Sequence, residues 1–297
     1  MMKSSLLHCY HNGNYSVRIY SDGSKIRFTQ EEEFLPKFPE SIDLKITNYC
    51  DLGCQMCHEK SSISGKHANL DAPFLTTLKN GTELAIGGGN PLSHPDLKAF
   101  LMRMKKQGII CNLTVNAKHF VDNQEMLVDL LQNKLIYGLG ISVVNDEFLR
   151  EVIVFAKKFP NTVLHLIAGI IDDDLLNKLK NHGLKILILG YKRLGRGIDY
   201  YSNFVNDKIN ILKTNILSLQ NHFQVIAFDN LAIEQLELKK QLDNEIFETL
   251  YMGDDGMFTM YIDLVEEQFA KSSTSLIRYD LKDKIDEMFN KIRQENK

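Results

Sequence analysis

From about residue 42 onward, short apolar runs alternate with stretches of helical period, and this alternation restricts the chain to a parallel sheet with helical crossovers. The runs are IDLKITN (42–48), ELAIG (83–87), IICNLTV (109–115), GLGISVV (138–144), VLHLIAGII (163–171) and KILILG (185–190), with VIAF (225–228) a candidate seventh. Between them, His94 to Gln107 places Leu97, Phe100, Leu101 and Met104 on one face of a helix. Asp146 to Phe159 and Asp172 to His182 read as further helices, the last stopped by Gly183. Six or seven such units are too many for a small open sheet and fall short of a closed eight-fold barrel. The expected fold is α/β: a partial (β/α)6-type parallel barrel, with a doubly wound sheet as the alternative.

The flanks differ from this core. Tyr15–Tyr20 and Lys25–Phe28 alternate on either side of Ser21-Asp22-Gly23-Ser24, a β-hairpin signal. Glu31–Glu33 with Pro36 and Pro39 then read as a linker. After about residue 236 come a Gly-Asp-Asp-Gly turn (253–256), an apolar stretch (258–262) and a charged helix from Asp280, with Leu281, Ile285, Met288 and Ile292 as its apolar stripe. The expected division is 1–41 hairpin and linker, 42–235 barrel core and 236–297 an α+β C-terminal extension.

Three of the five cysteines crowd into Cys50-Asp51-Leu52-Gly53-Cys54-Gln55-Met56-Cys57, while Cys9 and Cys111 stand apart. An odd count with that spacing makes a poor disulfide framework and a good site for a soft metal in a reducing compartment. Structural zinc needs four closed ligands, and only three cysteines lie on this loop. His58 adjoins Cys57 too closely to chelate with it comfortably. A cubic iron–sulfur cluster on three thiolates keeps one iron open. The loop follows the first strand at its C-terminal end, where barrel active sites lie. The net charge of −3 does not favour nucleic acid, and no apolar run reaches the roughly 20 residues of a membrane span. A cytoplasmic protein is expected.

The C-x3-C-x2-C loop after the first strand, with Gly87-Gly88-Gly89-Asn90-Pro91 ending the second, resembles the radical S-adenosylmethionine (SAM) superfamily over roughly residues 42 to 190. The resemblance implies a [4Fe–4S] cluster on Cys50, Cys54 and Cys57, with SAM on its open iron. It implies reductive cleavage to methionine and a 5′-deoxyadenosyl radical, fed by a low-potential donor such as flavodoxin or ferredoxin. Met56 stands where the family often has an aromatic residue near the adenine, and its thioether can pack on a purine. Asn90 stands where the family has a glutamate that accepts from the SAM amino group. An amide oxygen can also accept, but without charge, so carbonyls of Gly88 and Gly89 are expected to share the task. Asn116 and Ser142 match positions where the family often carries polar groups that touch the SAM ribose and carboxylate, the plain alternative being a turn asparagine and a serine bonded to backbone. Gly169, in the fifth strand's LIAGI (166–170), is expected to let the backbone approach the adenine, the plain alternative being a buried strand.

Gly190-Tyr191-Lys192-Arg193-Leu194-Gly195-Arg196-Gly197 leaves the sixth strand's C-terminal end, and its cations suit a phosphate or carboxylate. Lys192, Arg193 and Arg196, with His58, are therefore the expected substrate contacts; a solvated basic loop is the plain alternative. Glu59, Lys66 and His67 near the cysteines are weaker candidates, and Asp254-Asp255 reads as a turn before a metal site. Two spare cysteines are too few for a second cluster. The expected function is hydrogen abstraction from a small anionic or nucleotide-like substrate. The alternatives are modification of a peptide or protein side chain, cradled by the N-terminal hairpin and C-terminal tail, and a zinc-stabilised binding module.

Overall fold

The computed structural model describes residues 4–295. It opens with an antiparallel meander of β1 (Leu6–Asn12), β2 (Tyr15–Tyr20) and β3 (Lys25–Phe28). Seven parallel strands follow in chain order: β4 (Ser41–Thr47), β5 (Glu83–Gly88), β6 (Ile110–Asn116), β7 (Gly138–Ser142), β8 (Thr162–Ile167), β9 (Lys185–Leu189) and β10 (Val225–Phe228). Then β11 (Thr259–Asp263) pairs parallel with β4 on its free side, giving eight parallel strands from β10 to β11. The strands β12 (Gln268–Ala270) and β13 (Tyr279–Asp280) continue the sheet antiparallel.

Helices α1 (Leu97–Lys106), α2 (Ala117–Asp122), α3 (Gln124–Gln132), α4 (Leu149–Lys158) and α5 (Asp173–Leu179) fill the crossovers from β5 to β9, while the β4–β5 connection has only a 3-10 turn at Pro73–Thr77. Between β9 and β10 lie α6 (Gly197–Tyr200) and α7 (Asn203–Asn215). Between β10 and β11 lie α8 (Asn230–Gln235), α9 (Leu238–Gln241) and α10 (Asn244–Leu250), and α11 (Ile285–Glu295) ends the described chain. Strand order never reverses from β4 to β10, so there is no topological switch point and the doubly wound alternative is excluded. Right-handed crossovers between successive neighbours put the helices on one face, the partial-barrel arrangement.

The two faces of the strands have opposite chemistry. Ile42, Leu44, Leu84, Ile86, Leu113 and Ile141 point to the helices and are at most 1% exposed. Each such side chain contributes about 1.5–3 kcal/mol on burial, and all belong to one continuous core. The alternate positions Asp43, Ala85, Asn112, Thr114, Gly138 and His165 retain solvent access although they lie in central strands. In β4 the contrast is legible as I-D-L-K-I-T. A filled eight-stranded barrel stacks bulky branched residues here. This one has Ala85, Gly87, Gly138 and Gly140 at inner positions, which leaves a wet chamber.

The N-terminal sheet closes the opposite end. Tyr15, Val17 and Ile19 pack with Ile110 at the start of β6 and with Phe258 just before β11. The Tyr15 hydroxyl donates to Glu40 at 2.7 Å, and Arg27 meets both oxygens of Glu40 at 2.8 and 3.0 Å. Lys25 pairs with Glu40 and with Glu83 at the foot of β5. Burial raises the Glu40 pKa, but the Arg27 hydrogen bonds and the Lys25 charge outweigh it and leave it below the usual value. This compensated charge fixes the meander to the floor of the barrel, remote from the cysteine loop. The hairpin expected to help cradle a substrate chain therefore lies at the end of the barrel opposite the cysteine loop.

Candidate functional site

The cysteine loop leaves the C-terminal end of β4 and lies over the chamber mouth. Cys50, Cys54 and Cys57 are unpaired and half-buried. The Cys50 N–H donates to the Ser62 carbonyl at 2.9 Å, and the Cys57 N–H donates to the Cys54 carbonyl at 3.2 Å. Gly53 supplies the left-handed turn between them, at φ +61. Among the described residues, one trio of metal-binding side chains has all its ligand atoms within 4.8 Å of one another: Cys50, Asp51 and His119. The three sulfurs thus stand farther apart than a single ion would draw them. Burial pushes the Cys50 and Cys54 thiols up, and neighbouring thiolates push in the same direction. Cations bound there would reverse that penalty. A soft three-thiolate set suits an iron–sulfur cluster, and with only three cysteines on the loop it would leave a fourth iron without a thiolate ligand.

Three anchors hold the loop. On one side, the His119 Nε2 of α2 meets Asp51 at 2.7 Å beside Cys50. Behind it runs the segment after β9. Arg196 donates from Nε to the Cys54 carbonyl at 2.9 Å, from Nη1 to the Ser61 carbonyl at 3.0 Å, and from its backbone N–H to the Cys57 carbonyl at 3.0 Å. The glycines of this segment serve that contact: a Cβ on Gly195 would lie 2.3 Å from the His58 carbonyl oxygen. Below, Lys45 on the inner face of β4 reaches Glu59 at 2.7 Å and Asp263 of β11 at 2.8 Å. The Tyr261 hydroxyl donates to Glu59 at 3.3 Å. Burial opposes the Glu59 charge, yet His58 and Lys45 hold its carboxyl well below the usual range.

The expected SAM residues fall into two groups. Gly88, Gly89 and Asn90 line the loop's flank. Gly88 has φ +114, and a Cβ on Gly89 would lie 2.1 Å from the Tyr49 carbonyl oxygen, so β5 ends in backbone-to-backbone contact with the cysteine loop. Gly87 faces open space, room for a ligand beside the cysteines. The Asn90 oxygen caps the next turn by accepting from the Leu92 N–H at 3.2 Å. Asn116 likewise caps α2, accepting from the Lys118 N–H at 2.9 Å. Ser142 is half-buried on the inner face of β7, and Met56 packs partly against the core. Gly169 is elsewhere. A Cβ there would lie 2.7 Å from Val205 of α7, so this glycine admits a helix rather than an adenine.

The basic segment is also divided. Arg193 lies over the Tyr201 ring at 4.1 Å, exposed, and Arg196 is spent on carbonyls. Lys192 alone turns inward, donating to the Ser273 hydroxyl at 2.8 Å. Its charge reaches His58, whose pKa is lowered first by burial and then by Lys192. His67 meets the Thr47 hydroxyl at 2.9 Å, and Asp255 accepts from the Asn230 side-chain amide at 2.7 Å. Sequence reasoning missed Asp43, Lys45, His165 and Asp263. The first two were visible as polar residues at alternate positions of an apolar strand. His165 packs against Gly140, and burial lowers its pKa to about 4, so the ring is neutral near pH 7. Beside α8, α9 and α10 a cavity of about 1010 Å³ opens, lined by Glu234, Phe247, Tyr251, Asp255 and Lys271 among others.

This geometry has solved counterparts. SuiB of Streptococcus suis bound to its precursor peptide SuiA superposes with a TM-score of 0.59 at 16% identity, over 86% of this chain and 65% of SuiB. The chain shares the fold of SuiB. SuiB bound to S-adenosylmethionine gives a TM-score of 0.55 at 14% identity, over 83% of this chain and 64% of that one. The chain thus spans a little under two thirds of SuiB. No family model and no curated protein matches the sequence. The α/β partial barrel expected from the alternation of strands and helices is the architecture present. No described helix is long and apolar enough to cross a membrane.

Proposed function

We propose that the chain is a radical SAM enzyme, with one [4Fe–4S] cluster on Cys50, Cys54 and Cys57, acting on a peptide side chain. One observation carries the assignment: three spread thiols on a loop pinned over the wet inner face of a partial parallel barrel. Bound there, the cluster and SAM would supply reductive cleavage and a hydrogen-abstracting 5′-deoxyadenosyl radical. The protein's own part is positional. Arg196, Asp51 with His119, and Lys45 with Glu59 fix the loop. Gly87 gives the ligand space, and the carbonyls beside Gly88 and Gly89 offer acceptors to an amino group. The inner face of β4 to β9 holds the substrate against the mouth.

The peptide reading draws support from the SuiB complex with a precursor peptide. The small anionic substrate keeps Lys192 as its support, since Arg193 and Arg196 are engaged elsewhere. Anaerobic reconstitution tests the core assignment. About four irons and four sulfides per chain are expected, with charge-transfer absorption that disappears when the three cysteines become alanine. Stoichiometric zinc without that absorption refutes it.

A further inference from the structure

The inner face of β4 carries a charge that the loop anchors do not use. Asp43 sits between Ala85 of β5 and Tyr261 of β11 in register, in the middle of the sheet. It is surrounded by protein, yet its side chain remains open to solvent, because it faces the chamber. The charges around it come from three other segments. Lys192 follows β9, Asp229 begins α8, and Asp255 precedes β11. Asp229 accepts from the Gly190 N–H at 2.9 Å and the Ala232 N–H at 2.7 Å. Asp255 accepts from Asn230, and Lys192 donates to Ser273. Asp43 alone has neither a hydrogen-bond donor nor an ion pair; burial and distant charges act on it, and no hydrogen bond does. Three carboxylates against one lysine leave the region electronegative.

We propose that Asp43 receives a single organic cation, an alkylammonium or guanidinium group on the substrate, at the bottom of the chamber. This rests on the peptide-modifying function above and names what the peptide presents. A carboxylate that faces an open chamber with no donor of its own is free to pair with a cation that enters, and the chamber walls screen that pair less than bulk water does. Ala85 at its register leaves room beside it. A metal ion fits worse, since no trio of ligands including Asp43 converges among the described residues.

The probes are four blocked pentapeptides, Gly-Gly-X-Gly-Gly, with X as lysine, arginine, norleucine or glutamate. Their binding to the cluster-loaded, SAM-bound protein is measured without reductant, so no radical chemistry is needed. The lysine or arginine peptide should bind at least about tenfold tighter than the norleucine peptide, as expected for a desolvated charge pair. Asp43→Asn should bring that ratio to within about twofold, while Lys192→Met, by removing repulsion, should increase it. Iron content of each variant reports whether it has folded, and Asp43→Ser, which also removes the carboxylate, replaces Asp43→Asn if the amide variant fails to load iron. A ratio near one, a preference for glutamate, a preference that survives loss of the carboxylate, or no binding of any peptide at 10 mM (about the weakest measurable) each overturns the proposal. Failure of the radical SAM reading looks different: the wild-type protein then takes up no cluster.

Discussion

Replacing Arg196 with alanine separates the clasp seen in the structure from an anion site. The side chain makes two charge-assisted bonds to the cysteine loop, at 2.9 Å to the Cys54 carbonyl and 3.0 Å to the Ser61 carbonyl. Such bonds contribute about 1.5–3 kcal/mol each, and the half-buried guanidinium places them near the lower end, so about 3 kcal/mol is lost. The backbone bond from Arg196 to Cys57 remains and keeps the loop from detaching fully. If iron leaves through loop opening, 3 kcal/mol corresponds to roughly a hundredfold faster release. Transfer of iron from the reconstituted protein to a chelator, followed anaerobically by absorbance, reads this directly. Arg196→Lys keeps the charge but not the planar fork, and should fall between the two, about tenfold faster than wild type. Unchanged iron release together with weakened SAM or substrate binding would refute the clasp and restore the anion site.

Lys45→Met should destabilise the fold by about 3–5 kcal/mol, because it leaves Glu59 and Asp263 buried without their cation; thermal unfolding measures the loss. The same network sets a pH dependence. Glu59 has a folded pKa below its ordinary 4.5, so its stabilisation is complete above that value and is lost as pH falls below it. Denaturation midpoints measured from pH 6 down to about 3 should show that slope in wild type and a shallower one in Lys45→Met. Gly89→Val, whose Cβ would overlap the Tyr49 carbonyl, should lose both iron and SAM binding; a variant that loads four irons contradicts the close approach.

The barrel was legible because alternation in β4 to β9 has one apolar face that helices must cover. The meander was half legible. Tyr15–Tyr20 and Lys25–Phe28 announced a hairpin, whereas β1 has the mixed sequence LLHCYHN and depends on pairing with β2 for its conformation. The eighth parallel strand was read as an apolar stretch without a partner, because pairing between β11 and β4 spans most of the chain and leaves no local signal. Cys50, Cys54 and Cys57 announced themselves by spacing. Arg196 did not reveal its target, since a guanidinium suits a carboxylate and a carbonyl equally well in sequence, and only the fold shows which is within reach. Gly169 carried the same ambiguity: a position without a side chain admits a ligand or a helix.

The ion pair from Lys45 to Asp263 joins residues 218 positions apart. During synthesis the three cysteines and Glu59 emerge early, when Lys45 can pair with Glu59 but Asp263 does not yet exist. Only when β11 docks beside β4 does the ammonium gain its second carboxylate, and only then is Tyr261 in place to hold Glu59. The floor of the cysteine loop is therefore among the last parts of the molecule to set. A polypeptide released before residue 263 carries every thiol and lacks the carboxylate of Asp263 that completes the support beneath them.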